Sequence, residues 1–257
     1  MPHLPAPWDA ARRQNGELMS HDDLLTRHRQ VLPAWLAPYY DEPIELVSGE
    51  GRYVRDRDGV EYLDFFGGIL TTMTGHAIPE VVEAIQHQAG RMIHTSTLYL
   101  IEPQIALAEE IAAQCPWPDM PSNSISTFGG SPLTTAGALA NLRYLLRNDL
   151  QANARHMGER IRQQVEESLA GSPMVGDIRG KGLMLGIEFV HPGTRKPDPQ
   201  VTGRVLEAAK RRHLLICKGG LYGNTLRVSP PLSVTASEAD TGTAALLEAI
   251  QEAAAAG

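Results

Sequence analysis

Residues 124–133 constrain the fold more than any other stretch, because they set where a strand ends and a long helix begins. A short apolar run stops at a glycine pair, and Ser131 with Pro132 suits a helix N-cap and a first helical turn. Free N–H groups at a helix N-terminus, beside a hydroxyl, also favour an anion such as phosphate. Most turns of this kind only begin a helix. Alone, the stretch predicts a helix start and allows a phosphate cradle.

The rest of the chain alternates strand-like and helix-like patterns. Asp58-Gly59 lies between two alternating runs and predicts a β-hairpin. Apolar spacing predicts a helix from Pro79, another over about 103–114, and a long helical region interrupted at Asn148-Asp149. In the last third, strands are predicted over 175–178, 183–190, 214–217 and 225–229, and helices over about 199–212 and 237–254. Residues 21–30 allow a short N-terminal helix. Runs of strands with helices covering one face predict an α+β fold.

Composition excludes several classes of function. The chain has 257 residues, 42% of them hydrophobic and 21% charged, with a net charge of −7 that argues against nucleic-acid binding. Its two cysteines, Cys115 and Cys217, are too few for a disulfide framework or a thiolate metal site, and the histidines show no metal-binding spacing. No apolar run of 18 residues predicts a membrane span. We expect a soluble, cytoplasmic protein that holds no metal.

Lysine is distributed unevenly. The four lysines are Lys181, Lys196, Lys210 and Lys218, all in the last third of the chain. Lys181 lies in a Gly-Lys-Gly turn, Lys196 in a polar loop, and Lys210 in a basic cluster at a helix end, so each is expected to be a solvated charge. Lys218 precedes two glycines and is the only one expected near a pocket wall.

Several motifs, in the right order, resemble one family. Residues 62–69 (Tyr-Leu-Asp-Phe-Phe-Gly-Gly-Ile) with Gly75-His76 resemble the N-terminal segment of class III aminotransferases, the fold-type-I enzymes that use pyridoxal phosphate (PLP). Residues 127–132 (Thr-Phe-Gly-Gly-Ser-Pro) resemble their Thr-Phe-Gly-Gly-Asn-Pro motif. Residues 178–188 resemble a strand pair of their small domain, and residues 226–232 (Leu-Arg-Val-Ser-Pro-Pro-Leu) resemble their closing motif. Residues 94–97 (His-Thr-Ser-Thr) favour the alanine–glyoxylate aminotransferase 2-like branch.

The resemblance also shows what this chain lacks. The family carries most of its large domain between the segments matched by residues 114 and 125, including a phosphate-binding loop, an aromatic residue that stacks on the cofactor, an aspartate for the pyridine nitrogen and the Schiff-base lysine. No lysine precedes Lys181 here. The resemblance therefore implies a remnant of the PLP-dependent transferase fold, with small mixed or antiparallel sheets, covering helices and one long linking helix.

The resemblance assigns roles to four residues. Thr127 matches the threonine that reaches the cofactor phosphate of the partner chain in a dimer. Arg227 matches the arginine that binds a substrate carboxylate, for which its planar fork is suited, and a surface ion pair is the alternative. Ile69 and Tyr39 match positions that line the substrate pocket, and both could equally be packing residues. His76 is expected to be structural.

The same comparison divides the chain into four segments. Residues 1–32 form an arm, 33–115 a β-meander with two helices, 116–123 a proline-rich junction where the large domain is missing, and 124–257 a linking helix and small domain. The meander and the C-terminal strands are expected to form one α+β body. The helices from Pro79 and over 103–114 are expected to expose apolar surface that the large domain would cover.

Three functions stay open at this point. In the first, the chain belongs to a family that transfers an amino group, through PLP, from an amino acid such as alanine to an oxo acid such as glyoxylate or pyruvate. This chain would then be inactive alone, because the Schiff-base lysine is missing. Alternatively, it is a non-catalytic module that pairs as a heterodimer with an intact aminotransferase, or an enzyme that uses another lysine. Under the first reading a homodimer is also expected.

Overall fold

The computed structural model describes residues 20–33, 36, 38–95, 99–114 and 130–255. Thr127 and the junction at 116–123 lie outside the described residues. The chain forms two compact units, residues 1–47 and 48–257. In the first unit, helix α1 (His21–Val31) begins at Ser20, whose side chain accepts from the Asp23 N–H while Asp23 accepts from the Ser20 N–H. This reciprocal cap explains why the short polar stretch is helical.

The first sheet contains the predicted hairpin. Its strand order is β1 (Leu46–Glu50), β2 (Tyr53–Asp56), β3 (Glu61–Asp64) and β6 (Leu214–Leu215), with β3 and β6 parallel. The Asp56 carboxylate accepts hydrogen bonds from the N–H groups of Asp58 and Val60 and from the Tyr62 hydroxyl at 2.8–3.0 Å. Burial, followed by the hydrogen bond to Asp56, raises the pKa of the Tyr62 phenol to about 12. The turn is thus held by its own aspartate.

The second sheet is antiparallel. Its order is β4 (Val175–Lys181), β5 (Met184–Phe189), β8 (Thr225–Val228) and β7 (Cys217–Gly219). Helices α6 (Leu150–Ser168) and α7 (Pro199–Arg211) pack against it. The expected strand over 214–217 is corrected: the chain changes sheets at Ile216, so β6 extends the meander and β7 borders β8.

The remaining helices are α2 (Gly67–Leu70), α3 (Pro79–Ala89), α4 (Glu102–Gln114), α5 (Pro132–Arg147) and α8 (Ala236–Ala255). The Ser131 hydroxyl accepts from the Thr134 N–H and confirms the predicted start of α5. The predicted interruption at Asn148-Asp149 is also confirmed, since α5 ends at Arg147 and Asp149 has a φ of +48°. These elements confirm an α+β fold.

Helix α8 joins the two sheets. It packs against α6, α7 and β6, and its Glu238 forms a two-pronged ion pair with Arg52 at 2.8–3.1 Å. Burial raises the pKa of the Glu238 carboxyl, but hydrogen bonds from Arg52 and Thr235 outweigh it and hold that pKa below the usual value. The meander and the C-terminal strands therefore belong to one body, as expected, but in two sheets.

Apolar side chains of α3 and α4 are exposed, as the sequence predicts. Val82 is 36% exposed, Ile85 39% and Ile105 45%. Both helices pack against α5 on one side.

Candidate functional site

Arg227 lies on β8 and faces away from the core of the second sheet. It pairs with Gly186 of β5 on one side and with Cys217 of β7 on the other. Leu226 and Val228 are buried, so strand alternation sends the half-buried Arg227 to the polar face.

Two glycines leave space for the Arg227 guanidinium. A Cβ added at Gly219 would lie 3.1 Å from Arg227 Nη2, and Gly186 separates Arg227 from Arg179 on β4. Since neither glycine has a side chain, the guanidinium can lie flat over the sheet.

The guanidinium of Arg227 lacks an ionic partner among the described residues, whereas that of Arg179 has two. The Arg179 guanidinium donates to Asp177 and Glu188 at 2.8 and 2.7 Å. The Arg227 guanidinium makes no hydrogen bond or ion pair with any residue in the described ranges. A planar fork without a partner, half-buried among small residues, is suited to two-pronged binding of a carboxylate.

Ile69 lies on a left-handed turn that is anchored beside β8. Residues 67–70 have φ values of +56°, +54°, +59° and +66° in order. The Ser229 N–H donates to the Phe65 carbonyl at 2.8 Å, and the Ser229 hydroxyl donates to the Phe66 carbonyl at 3.2 Å. The turn thus begins against the residue that lies two positions after Arg227.

Asp64 fixes the entry to this turn. Its buried carboxylate accepts from the N–H groups of Phe66 and Gly67 at 2.9 and 3.0 Å, and its second oxygen lies 2.7 Å from His76 Nε2. His76 therefore contacts the same carboxylate that holds the turn. The sequence analysis missed Asp64 as the centre of this network.

The backbone at Ile69 is strained, so the order of stability of two variants at this position can be predicted. A β-branched residue in the left-handed region costs about 1–2 kcal/mol. We expect Ile69→Gly to unfold at higher urea than Ile69→Ala, by about 1 kcal/mol, because only glycine adopts this φ freely. The side chain is 55% exposed, so little packing is lost in either variant. A more stable alanine variant would mean that residue 69 does not occupy a left-handed conformation in solution.

The other two candidate residues are Tyr39 and Thr127. Tyr39 lies in the unit of residues 1–47 and is 44% exposed. Thr127 lies outside the described residues. Within the described ranges, no group of three histidine, cysteine, aspartate or glutamate side chains could hold a metal ion, and no helix is long and apolar enough to cross a membrane.

Comparison with known proteins identifies the family. The model of the aminotransferase class III family matches residues 37–124 and 119–250. The chain belongs to the class III aminotransferases. The two matches together span most of the chain and meet at the junction after α4.

Relatives of this class III chain are longer than it is. Alanine–glyoxylate aminotransferase 2 homolog 2 of Arabidopsis thaliana is 36% identical over 116 residues, which are 45% of this chain and 24% of the relative. The 5-aminovalerate aminotransferase of Pseudomonas putida is 29% identical over 194 residues, 69% of this chain and 45% of the relative. The chain spans less than half the length of these relatives.

Solved structures share the fold. The ornithine aminotransferase from Toxoplasma gondii, crystallised with partial occupancy of PLP at its active site, has a TM-score of 0.78 and 16% identity. The match covers 98% of this chain and 99% of that one. The class III fold assigned from the sequence is confirmed.

The lysines of this class III chain are dispersed. Lys218 pairs in register with Leu226, so it faces the opposite side of β8 from Arg227. Lys181 shares the face of Arg227 but lies two strands away, exposed at the end of β4. Lys196 is in an exposed loop, and Lys210 is on α7 with its Nζ 4.0 Å from Glu207.

Proposed function

We propose that this chain is a class III aminotransferase-family subunit that binds a small amino acid or oxo acid through Arg227 but does not transfer an amino group on its own. The observation that carries this proposal is the half-buried Arg227, which has no ionic partner among the described residues. The turn that contains Ile69 begins where Ser229, two residues after Arg227, donates to the Phe65 and Phe66 carbonyls. Ile69 is proposed to contact the rest of the ligand. Tyr39 is proposed as a substrate-binding residue from the family resemblance alone.

PLP does not fit the described residues as a lysine-bound group. When bound, PLP supplies an electron sink for amino-group transfer, and a lysine must hold it and move the proton. Lys218 faces away from Arg227, and the exposed Lys181 is about 12 Å away at strand spacing. We therefore propose that the catalytic lysine is missing. Thr127 is the residue proposed to contact a cofactor phosphate, in a partner chain.

The proposed domain organisation follows the family resemblance. The chain would consist of the arm at 1–32, the meander with two helices at 33–115, the junction at 116–123 and the linking helix with the small domain at 124–257. The two family matches that meet at the junction support a truncated chain. A cytoplasmic location and a dimer are part of the same proposal.

The alternative is a module that forms a heterodimer with an intact aminotransferase. Thr127 favours it, because the family motif works across two chains. A third possibility is an enzyme that has recruited Lys181 or Lys218. Borohydride reduction after addition of PLP, followed by intact mass measurement, separates this third possibility from the others. With one equivalent of PLP, we expect no stoichiometric labelling of a single lysine, whereas stoichiometric labelling of Lys181 or Lys218 alone would contradict the proposal.

Calorimetry with pyruvate and with alanine tests the carboxylate site. We expect Arg227→Lys to weaken binding at least about tenfold, because lysine keeps the charge but loses the two-pronged geometry. Arg195→Ala removes an exposed loop arginine and serves as the control. Absence of pyruvate and alanine binding by the unaltered chain, or equal binding by Arg227→Lys, would overturn the assignment.

Gly219→Ala tests the space beneath the guanidinium. Its Cβ would lie 3.1 Å from Arg227 Nη2, which must then move by a few tenths of an ångström. We expect pyruvate binding to weaken about two- to fivefold with little change in unfolding free energy. Gly203→Ala, whose Cβ meets nothing within 4 Å, should leave binding unchanged.

A further inference from the structure

Two joined cavities lie among the helices that follow the meander. A cleft of about 470 Å³ opens between α3 and α4 over α5, and a cavity of about 270 Å³ adjoins it. The larger one is within the range of about 300–1,000 Å³ that small-molecule sites usually have. The two cavities share four lining residues: Gln88, Arg91, Glu102 and Pro103. A single small molecule can therefore contact both.

The smaller cavity is apolar over much of its lining. Ile101 is 3% exposed and Pro132 is also buried, so these two residues form its floor. Met92 and Leu100 are exposed and form its rim. A ligand that places carbon atoms against these residues removes apolar surface from water. The cavity therefore favours an aliphatic group.

Two residues of opposite charge line the same cavity. Arg91 follows α3 and Glu102 begins α4, and the other residues that line the smaller cavity carry no charge. Neither the Arg91 guanidinium nor the Glu102 carboxylate makes a hydrogen bond or ion pair with a described residue. The arginines in the larger cleft differ, because each is paired with a glutamate. Arg91 and Glu102 thus keep their charges available to a ligand.

Gln88 adds a fixed polar group to the wall that the cavities share. It is buried, and its side-chain amide N–H donates to the Met92 carbonyl at 2.9 Å, which holds the amide in one orientation. Its amide oxygen accepts no hydrogen bond from a described residue. An ammonium group has three N–H donors and is stabilised by several acceptors. Glu102 and the Gln88 oxygen are two such acceptors.

The pair of charges distinguishes between classes of ligand. A carboxylic acid would bind Arg91 but place a second negative charge beside Glu102, and an amine would place a positive charge beside Arg91. An ω-amino acid has a charge at each end, so it has no apolar end to place in the smaller cavity. An α-amino acid has both charged groups on one carbon and presents one side chain. An aliphatic α-amino acid therefore matches the charges and the apolar lining together.

We propose that these cavities bind an aliphatic α-amino acid such as leucine. Its carboxylate binds the planar fork of Arg91, its ammonium group binds Glu102 and the Gln88 oxygen, and its side chain enters the smaller cavity. Arg227 lines neither cavity, so this is a second ligand site. The site goes beyond the proposed function and does not depend on it.

Calorimetry of the full chain with L-leucine tests this site, in the Arg227→Lys background so that the other carboxylate site contributes little heat. We expect saturable binding that Arg91→Gln and Glu102→Gln each weaken at least about tenfold, because each removes a charge-assisted contact. Glu109→Gln is the matched control for Glu102, since Glu109 lies on the same helix but lines neither cavity. Arg155→Gln removes an exposed arginine of α6 and is the control for Arg91. Both controls should bind leucine unchanged.

Ligand analogues test the assignment of each group. Isocaproate lacks the ammonium group of leucine, isoamylamine lacks its carboxylate, and glycine lacks its side chain. Each should bind at least about tenfold more weakly than L-leucine. Arg91 and Glu102 are exposed and without partners among the described residues, so urea unfolding should be nearly the same in their glutamine variants as in the unaltered chain.

Four outcomes would overturn the site. The first three are absence of saturable leucine binding, binding left unchanged by Arg91→Gln or by Glu102→Gln, and binding of isocaproate as tight as that of L-leucine. The fourth is leucine binding by the unaltered chain that is lost in Arg227→Lys, because it would place the ligand at Arg227. Pyruvate has no ammonium group, and its binding by the unaltered chain reports on the proposed function separately.

Discussion

Gly242→Ala is expected to destabilise the protein by about 1–2 kcal/mol, the largest effect of any single methyl group discussed. A Cβ at this position in α8 would lie 2.2 Å from Phe65 Cζ and 2.5 Å from Phe65 Cε2. Phe65 is fully buried. Its backbone is hydrogen-bonded to Leu215 and Ser229 at 2.9 and 2.8 Å, so neither the backbone nor the enclosed ring can move away from the added methyl group. Overpacking of this kind typically costs about 1–3 kcal/mol or more and outweighs the roughly 1 kcal/mol helix-propensity gain.

Urea unfolding followed by circular dichroism measures this loss. Gly203→Ala is the matched control, because Gly203 lies in α7 with open space where its Cβ would be. We expect this control to gain about 0.5–1 kcal/mol from reduced chain entropy. If both alanine variants showed the same unfolding midpoint, α8 would not pack on Phe65 as the structure has it.

Local chemistry made part of the fold predictable. Asp56 and Gly59 form the hairpin turn through contacts within a few residues. The left-handed backbone at Asp149 separates α5 from α6. Strand alternation likewise predicts that Leu226 and Val228 are buried. By contrast, Ile216 separates two strands that belong to different sheets, and no local pattern reports which neighbours they pair with. Pairing is a tertiary property.

The candidate site was predictable only as single residues. Strand alternation and the motif point to Arg227, but its lack of a partner depends on the register that gives Asp177 and Glu188 to Arg179. Gly219 acts through a neighbouring strand, so nothing next to it in sequence signals its role. The periodicity that predicts α3 likewise identifies an apolar face of the helix, but it does not indicate that Val82 on this face stays partly exposed.

The left-handed turn at residues 67–70 could be predicted only in part from its sequence. Gly67 and Gly68 permit positive φ, but the turn continues through Ile69 and Leu70, where L-residues are disfavoured. Contacts from other parts of the chain hold it: Asp64 at its entry and Ser229 beside it. A conformation that opposes local preference requires such outside support.

Asp64→Ala is therefore expected to cost about 3–4 kcal/mol and to loosen the site at the same time. The substitution leaves the N–H groups of Phe66 and Gly67 without their acceptor and removes the partner of His76 Nε2, in a position only 3% exposed. Hydrogen bonds to a buried charge contribute about 1.5–3 kcal/mol each, and unsatisfied donors add to the loss.

Asp64→Asn keeps one acceptor oxygen and should lose about half as much. Asp177→Ala removes an exposed carboxylate and should stay within about 0.5 kcal/mol of the unaltered chain. Hydrogen exchange at Thr71 and Thr72, whose N–H groups donate to the Gly67 carbonyl at 2.9 and 3.0 Å, should accelerate in Asp64→Ala but not in Asp177→Ala. Unchanged exchange at these two amides would show that the turn beside Arg227 holds its strained conformation without Asp64.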